Sequence, residues 1–123
     1  MSNTLTLHNT VTLRIELVGS EPVIWRRLEI ADNVALDEVG LAVQIAMGWE
    51  HAHMQAFTNL RPYSELGSTS AIKWYDEQMR AESGDGESLE DTTLGQALRA
   101  AADELYFEYD FGDGWIHQIT VES

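Results

Sequence analysis

Residues 109–117 read Tyr-Asp-Phe-Gly-Asp-Gly-Trp-Ile-His, and this stretch decides the fold because it joins the last two strand patterns of the chain. Asp113 and Gly114 stand between two aromatic-rich segments, an arrangement that is typical of a β-hairpin. The same nine residues carry two carboxylates, an imidazole, an indole and a phenol. The hairpin therefore fixes local geometry and concentrates groups that can bind a ligand or a partner.

The length of the loop sets which side chains face each other across this hairpin. A two-residue turn would put Asp110 opposite His117 and invite an ion pair. A three-residue loop with a left-handed Gly114 instead puts Tyr109 opposite His117. The longer loop also aligns apolar partners on one face, in the pairs Phe111–Trp115, Phe107–Ile119 and Leu105–Val121. Side-chain matching favours the three-residue loop, so we expect Trp115 and His117 on the packed face and Asp110 on the other.

The N-terminal half opens with another hairpin. Apolar and polar residues alternate over residues 10–17, which predicts a strand with one buried face. Turn residues follow at 19–22, and residues 23–30 return as a second strand. In that strand Arg26 shares a face with apolar side chains. A buried arginine requires a partner, and Asp110 is the best candidate by residue type.

A helix and several weaker patterns fill the middle of the chain. Apolar residues recur at helical spacing over residues 36–47, and Gly48 follows where a left-handed cap would end the helix. The weaker patterns predict short strands at residues 51–57 and 71–75, a flexible acidic loop at 82–88, and a second helix after the capping-box pair Thr93 and Gln96.

These elements predict a single α+β domain over residues 10–123, preceded by a flexible tail at residues 1–9. We expect the order ββαβ(β)αββ, a mainly antiparallel or mixed sheet, and the first helix packed across one face. A β-grasp-like arrangement resembling ubiquitin fits this order.

Charge and composition restrict the classes of partner. Seven lysines and arginines against 21 aspartates and glutamates give a net charge of −14, which repels phosphate backbones and disfavours nucleic-acid binding. The chain has no cysteine, which excludes disulfide frameworks and thiolate chemistry. Neither an export signal nor a segment able to cross a bilayer is recognisable, so we expect a cytoplasmic protein without a membrane partner.

Three blocks of the chain form a joint pattern. They are Pro-Val-Ile-Trp-Arg-Arg at 22–27, Ala-Met-Gly-Trp at 46–49 with His53 and Phe57 beyond it, and residues 109–115 with His117. Their order resembles the plasmid pRiA4b ORF-3-like family. The resemblance implies an α+β domain of no established biochemical activity, found on plasmids, in bacterial genomes and as a passenger of insertion elements.

Two departures from the family pattern concern the site. In many members the histidine that matches His53 is followed two residues later by a second histidine and then by an acid, where this chain has Gln55 and Ala56. The resemblance therefore does not carry a complete metal or acid–base site over to this chain. Longer relatives also continue beyond the position that matches Ser123.

The histidines offer a candidate metal site. His51 and His53 lie two residues apart, so in a strand both would project to one face, where His117 could complete a three-ligand set. The spacing matches no established metal signature, which favours hydrogen-bonded or exposed histidines. We therefore predict no cofactor. With Asp110 or Asp113 for acid–base work, these residues define the alternative function, a metal-assisted hydrolytic enzyme.

Aromatic side chains offer the leading candidate surface. Trp25 lies on the polar face of its strand, Trp49 follows the first helix, and Trp115 belongs to the last hairpin. Acids and aromatics without an enzyme signature predict a non-enzymatic protein-interaction module, whose partner is an unidentified protein or a second copy of the chain. Turn formation is sufficient to explain Asp113 beside Gly114. The candidate site comprises Trp25, Arg26, Trp49, His53, Asp110, Asp113, Trp115 and His117.

Overall fold

The computed structural model describes residues 9–49, 55–61, 71–110 and 114–122. Within these ranges the chain forms seven strands and three helices. Their bounds are β1 (Thr10–Leu17), β2 (Trp25–Ala31), α1 (Leu36–Met47), β3 (Gln55–Thr58), β4 (Lys73–Tyr75), α2 (Glu77–Ser83), β5 (Glu87–Ser88), α3 (Leu94–Ala100), β6 (Glu104–Tyr109) and β7 (Trp115–Val121).

All seven strands belong to one sheet in the order β2-β1-β7-β6-β3-β4-β5. Each neighbouring pair is antiparallel except β4 and β5, which run parallel. The sheet is therefore mixed, and the predicted α+β class is confirmed. The two terminal hairpins meet at its centre, because β1 pairs with β7 as well as with β2.

One face of the sheet carries the hydrophobic core. Because alternate residues of a strand point to the same face, the register places the fully buried Leu13, Ile119 and Phe107 of three neighbouring strands on that face. Helix α1 covers this face with a stripe that includes Val39 and Val43, also fully buried. Burying side chains of this size stabilises the fold by roughly 1.5–3 kcal/mol each.

The C-terminus of α1 has the geometry that its sequence predicts. Gly48 adopts a left-handed conformation with φ of 79°, which glycine reaches without steric cost. The main-chain N–H of Gly48 donates to the carbonyl of Ile45, and that of Trp49 donates to the carbonyl of Gln44 at 2.9 Å. This is a Schellman motif, and it fixes the direction in which Trp49 leaves the helix.

The prediction of a flexible acidic loop at residues 82–88 is wrong. Residues 82 and 83 end helix α2, and strand β5 forms at residues 87–88. The Asp76 carboxylate starts α2 by accepting a hydrogen bond from the N–H of Met79 at 2.8 Å. Strand β5 then pairs with the edge of β4. Acidic composition concealed both elements, because short amphipathic segments leave little periodicity.

The predicted register of the last hairpin is also wrong, by two residues. Tyr109 pairs with Trp115, and Phe107 pairs with His117, so five residues separate the strands. The loop is closed by a hydrogen bond from the Gly114 N–H to the Asp110 carbonyl at 2.6 Å, and both residues have positive φ. A shift of two residues keeps every side chain on its face. His117 therefore lies on the packed face of the sheet, as predicted.

Other predicted elements differ only at their ends. The strand predicted at 23–30 begins at Trp25, the one predicted at 71–75 begins at Lys73, and Gln55 begins the described part of the one predicted at 51–57. The capping box of α3 is present, with Thr93 and Gln96 as predicted. None of the helices in the described ranges is long and apolar enough to cross a membrane.

Replacing Gly40 with alanine tests how closely α1 approaches the sheet. An alanine Cβ would collide with the side-chain amide of Gln55, lying 2.9 Å from its Cδ. Glycine to alanine inside a helix ordinarily gains about 1 kcal/mol, but moving the Gln55 amide aside would break its hydrogen bond to the buried Gln44, so here we expect a loss of about 1–3 kcal/mol. Urea unfolding measures the change, and in a Gln55→Ala background the same substitution should become neutral or stabilising. A stabilising Gly40→Ala in the wild-type background would contradict this packing.

Candidate functional site

His117 lies at the centre of the candidate site and is fully buried. It projects from β7 directly opposite Phe107 of β6. The indole Nε1–H of Trp49 donates to His117 Nε2 at 2.9 Å. On the other side of the ring, His117 Nδ1 lies 3.1 Å from the main-chain oxygen of Phe107. Both ring nitrogens are therefore used inside the protein.

These two contacts determine the protonation state of the imidazole. Because the Trp49 indole can only donate, Nε2 must carry a lone pair, and Nδ1 must carry the proton that bonds the Phe107 carbonyl. The ring is neutral in this arrangement. Burial lowers the pKa of His117 below its ordinary value of 6.5, since the charged form would be desolvated.

Trp49 also organises a stack of aromatic rings. Its indole stacks against Trp115, at a centroid separation of 5.3 Å, and against Tyr109, at 5.7 Å. It meets the His117 ring edge-on at 6.1 Å. The stack extends into the core because Phe107 lies 5.3 Å from His117. Offset aromatic pairs contribute roughly 0.5–1.5 kcal/mol each beyond their burial, so this cluster anchors α1 to the last hairpin.

A second polar contact ties α1 to the sheet beside this stack. The Gln44 side chain is fully buried, and its Nε2 donates to Gln55 Oε1 at 2.6 Å. Gly40 leaves the space that the Gln55 side chain occupies. No sequence signal indicates that Gln44 belongs here, because a glutamine within a helical pattern ordinarily lies on the exposed face.

Arg26 does not form the predicted ion pair with Asp110. Its side chain is exposed, with Nε donating to the carbonyl of Ala46 at 3.1 Å and a terminal nitrogen donating to the carbonyl of Trp25 at 2.8 Å. Two strands, β1 and β7, lie between β2 and β6, and Asp110 directly follows β6. Arg26 instead supplies a cation to the C-terminus of α1, whose own last turn has none.

Trp25 lies on the face of the sheet that is opposite to the core, and it is 38% exposed. The Arg14 guanidinium sits 4.3 Å from the centre of its ring, and that of Arg27 sits at 5.2 Å. Arg27 also forms a salt bridge with Glu122 at 2.6 Å. Trp25 is thus a surface residue, as predicted, but arginine side chains already contact it.

Large apolar side chains remain exposed where three elements meet. The N–H of Val18 donates to the carbonyl of Ile116, joining the two terminal hairpins, and the Trp49–Trp115 stack brings in the residues that follow α1. We call the exposed residues of this region the apolar end. They are Val23 (50% exposed), Ile24 (41%), Ile45 (70%) and Trp115 (40%). Trp115 lies on the packed face, as predicted, but its ring is only partly covered.

The structure brings together some of the predicted site residues. Trp49, Trp115 and His117 are in contact, with Asp110 at the end of the neighbouring strand. His51, His53 and Asp113 lie outside the described residues. Within the described ranges, no group of three histidine, aspartate or glutamate side chains is arranged to hold a metal ion.

The fold and site define an α+β protein with a buried aromatic anchor and an exposed apolar end. A family model described as the plasmid pRiA4b ORF-3-like protein matches residues 9–123. The chain belongs to this family, as its sequence pattern predicted.

Two relatives extend the comparison. An uncharacterized protein of Sinorhizobium fredii (strain NBRC 101917 / NGR234), y4hQ, is 29% identical over 116 residues, which are 93% of this chain and 54% of that protein. The crystal structure of a protein of unknown function, MM3350 from Methanosarcina mazei Go1, matches with a TM-score of 0.76 at 24% identity, covering 96% of this chain and 61% of the other. The latter likeness shows the fold alone. The chain spans about half the length of its curated relative.

The buried neutral His117 predicts a loss of stability in acid. Its folded-state pKa is lowered, so the unfolded chain takes up the proton first as pH falls below about 6.5. Stability should then fall through that region by up to about 1.4 kcal/mol per pH unit, until the folded-state pKa is reached. Urea unfolding at several pH values measures this slope. We expect a shallower slope in His117→Gln than in the wild type. Equal slopes in the two proteins would contradict a neutral buried imidazole.

Proposed function

We propose that this chain is a non-enzymatic protein-interaction module, and that its partner docks on the apolar end. The observation that carries the proposal is the exposure of Val23, Ile24, Ile45 and Trp115 at one end of the sheet. Scattered apolar residues are ordinary on protein surfaces, but a group of large ones contributed by three elements is typical of an interaction site.

The rigidity of the supporting structure favours this role. Trp115 is stacked on Trp49, which is held in turn by the cap of α1 and by its hydrogen bond to His117. An exposed indole that is already fixed in position loses little conformational freedom when a partner covers it. Anchored tryptophans are accordingly common among residues that dominate interface energies.

The same contacts argue against the metal-assisted hydrolytic alternative. A metal ion or a proton transfer at His117 would require one ring nitrogen to be released, and both are engaged in hydrogen bonds, Nε2 in a partly buried one and Nδ1 in a buried one. Freeing Nε2 would break the hydrogen bond from the Trp49 indole N–H, at a cost of about 0.5–1.5 kcal/mol. His117 therefore has the contacts of a structural histidine.

Charge indicates the chemistry of the partner. The chain as a whole carries a net charge of −14, so we propose a basic protein whose docking patch is apolar. Salt should weaken the association mainly by slowing encounter, because rim charges act chiefly on the association rate.

Cross-linking in a lysate of the source cell tests the proposal. Tagged wild-type protein and the Ile45→Glu and Trp115→Ala variants are compared by quantitative mass spectrometry of the captured chains. Ile45→Glu places a charge at a 70% exposed position of α1, so folding should be preserved while docking is lost. We expect both variants to lose about 90% or more of a specific partner, as hot-spot truncation does.

A matched control distinguishes the loss of the docking surface from the effect of an added negative charge. Ala81→Glu adds the same charge at an exposed position of α2, which lies with β4 and β5 at the other side of the sheet from β2. This variant should capture the partner as well as wild type does. If no specific partner is captured, or if the apolar-end variants capture it equally, the proposed function fails.

A further inference from the structure

The two edges of the sheet differ in their ability to pair with another strand. One edge is β5, which is only two residues long, and short edge strands resist pairing. The other edge is β2, which is seven residues long, with Trp25, Arg27 and Glu29 all exposed. Among the described residues no strand pairs with the outer side of β2.

The hydrogen-bond pattern shows which main-chain groups of β2 point outward. The Leu17 N–H donates to the Ile24 carbonyl, so the main-chain N–H and C=O groups of the even-numbered residues in this strand point toward β1. In an antiparallel ladder the N–H and C=O of one residue point to the same side, and successive residues alternate. The main-chain groups of Trp25, Arg27, Glu29 and Ala31 therefore point away from the sheet.

Interactions within the chain already use the carbonyls at both ends of this outer row. The Trp25 carbonyl accepts from the Arg26 side chain, and the Ala31 carbonyl accepts from the N–H of Val34. The central part of the row, consisting of the N–H and C=O groups of Arg27 and Glu29, has no such partner among the described residues. Within the described part of the chain, these four main-chain groups can therefore form hydrogen bonds with an added strand.

We propose that two copies of this chain associate edge to edge through antiparallel pairing of their β2 strands, with the two-fold axis at Leu28. In this register Arg27 of each copy faces Glu29 of the other, and the two residues exchange both main-chain hydrogen bonds. The proposal goes beyond the protein-interaction function assigned to the apolar end and does not depend on it.

Self-complementarity of the strand is the reason for choosing a second copy. Opposite charges directly across an antiparallel pair stabilise it, and like charges destabilise it, each by roughly 0.2–1 kcal/mol. With the axis at Leu28 the dimer contains two Arg27–Glu29 pairs and no like-charged pair across these positions. The existing salt bridge from Arg27 to Glu122 is compatible, because a guanidinium has five donors and can bond two carboxylates.

Pairing would also cover apolar surface on the helix side of the sheet. Leu28 and Ile30 are only partly buried, although they pack against the core. Leu28 of one copy would lie beside Leu28 of the other, so their remaining exposed area would be removed from water. The resulting sheet would be continuous through both copies.

Charge reversal provides a sharp test by analytical ultracentrifugation. Wild type should dimerise within the concentration range up to about 100 μM. Arg27→Glu and Glu29→Arg each place like charges at both pairs, so each should raise the dimer dissociation constant at least about tenfold. An equimolar mixture of the two variants makes every facing pair opposite again. The mixture should therefore form a heterodimer, and the double variant should dimerise alone.

Two controls cover folding and net charge. Arg99→Glu makes the same charge change as Arg27→Glu at an exposed position on α3, and it should leave dimerisation unchanged. Glu29→Pro removes an outward N–H without breaking a bond to β1, so it should fold with the wild-type circular dichroism spectrum but remain monomeric. Monomeric wild type at all concentrations, or dimers that tolerate the single reversals, would overturn the proposal.

Discussion

The hydrogen bond from the Trp49 indole to His117 Nε2 is the contact on which the arrangement of the site depends. It joins Trp49, the second residue after α1, to strand β7 near the middle of the sheet, across 68 positions of sequence. Because it requires a neutral imidazole, it fixes the proton on Nδ1 and thereby the bond to the Phe107 carbonyl. Helix end, last hairpin and core are thus held by one polar contact and the aromatic stack around it.

This contact also shows which aromatic residues support the site and which one is exposed for binding. The ring nitrogens of His117 and Trp49 are hydrogen-bonded within the protein, so neither residue offers a free group for chemistry unless one of these bonds breaks. Trp115 rests on the indole of Trp49 and presents its other side outward. Rigid support beneath an exposed aromatic is an arrangement suited to binding, because the ordering cost is met during folding rather than at association.

Sequence reasoning succeeded where side-chain alternation and capping chemistry determine structure. Alternation set the faces of β1 and of the last hairpin, and Gly48 marked the end of α1. It failed where two strand registers are compatible with the same alternation of apolar and polar residues. A shift of two residues in the last hairpin preserves both faces, and only the backbone conformations of Asp110 and Gly114 distinguish the five-residue loop. The contact between Trp49 and His117 lies beyond local pattern, because its partners are far apart in sequence.

Charge distribution connects the two proposed surfaces. The whole chain carries −14, which opposes approach of one copy to another over most of the surface. Strands β1 and β2 are the exception, since together they hold three arginines, Arg14, Arg26 and Arg27, and only two acids, Glu16 and Glu29. Repulsion between copies is therefore weakest at the edge whose main-chain groups point outward. Elsewhere the negative charge of the chain opposes contact between copies, so the edge pairing would leave the apolar end open to the partner proposed above.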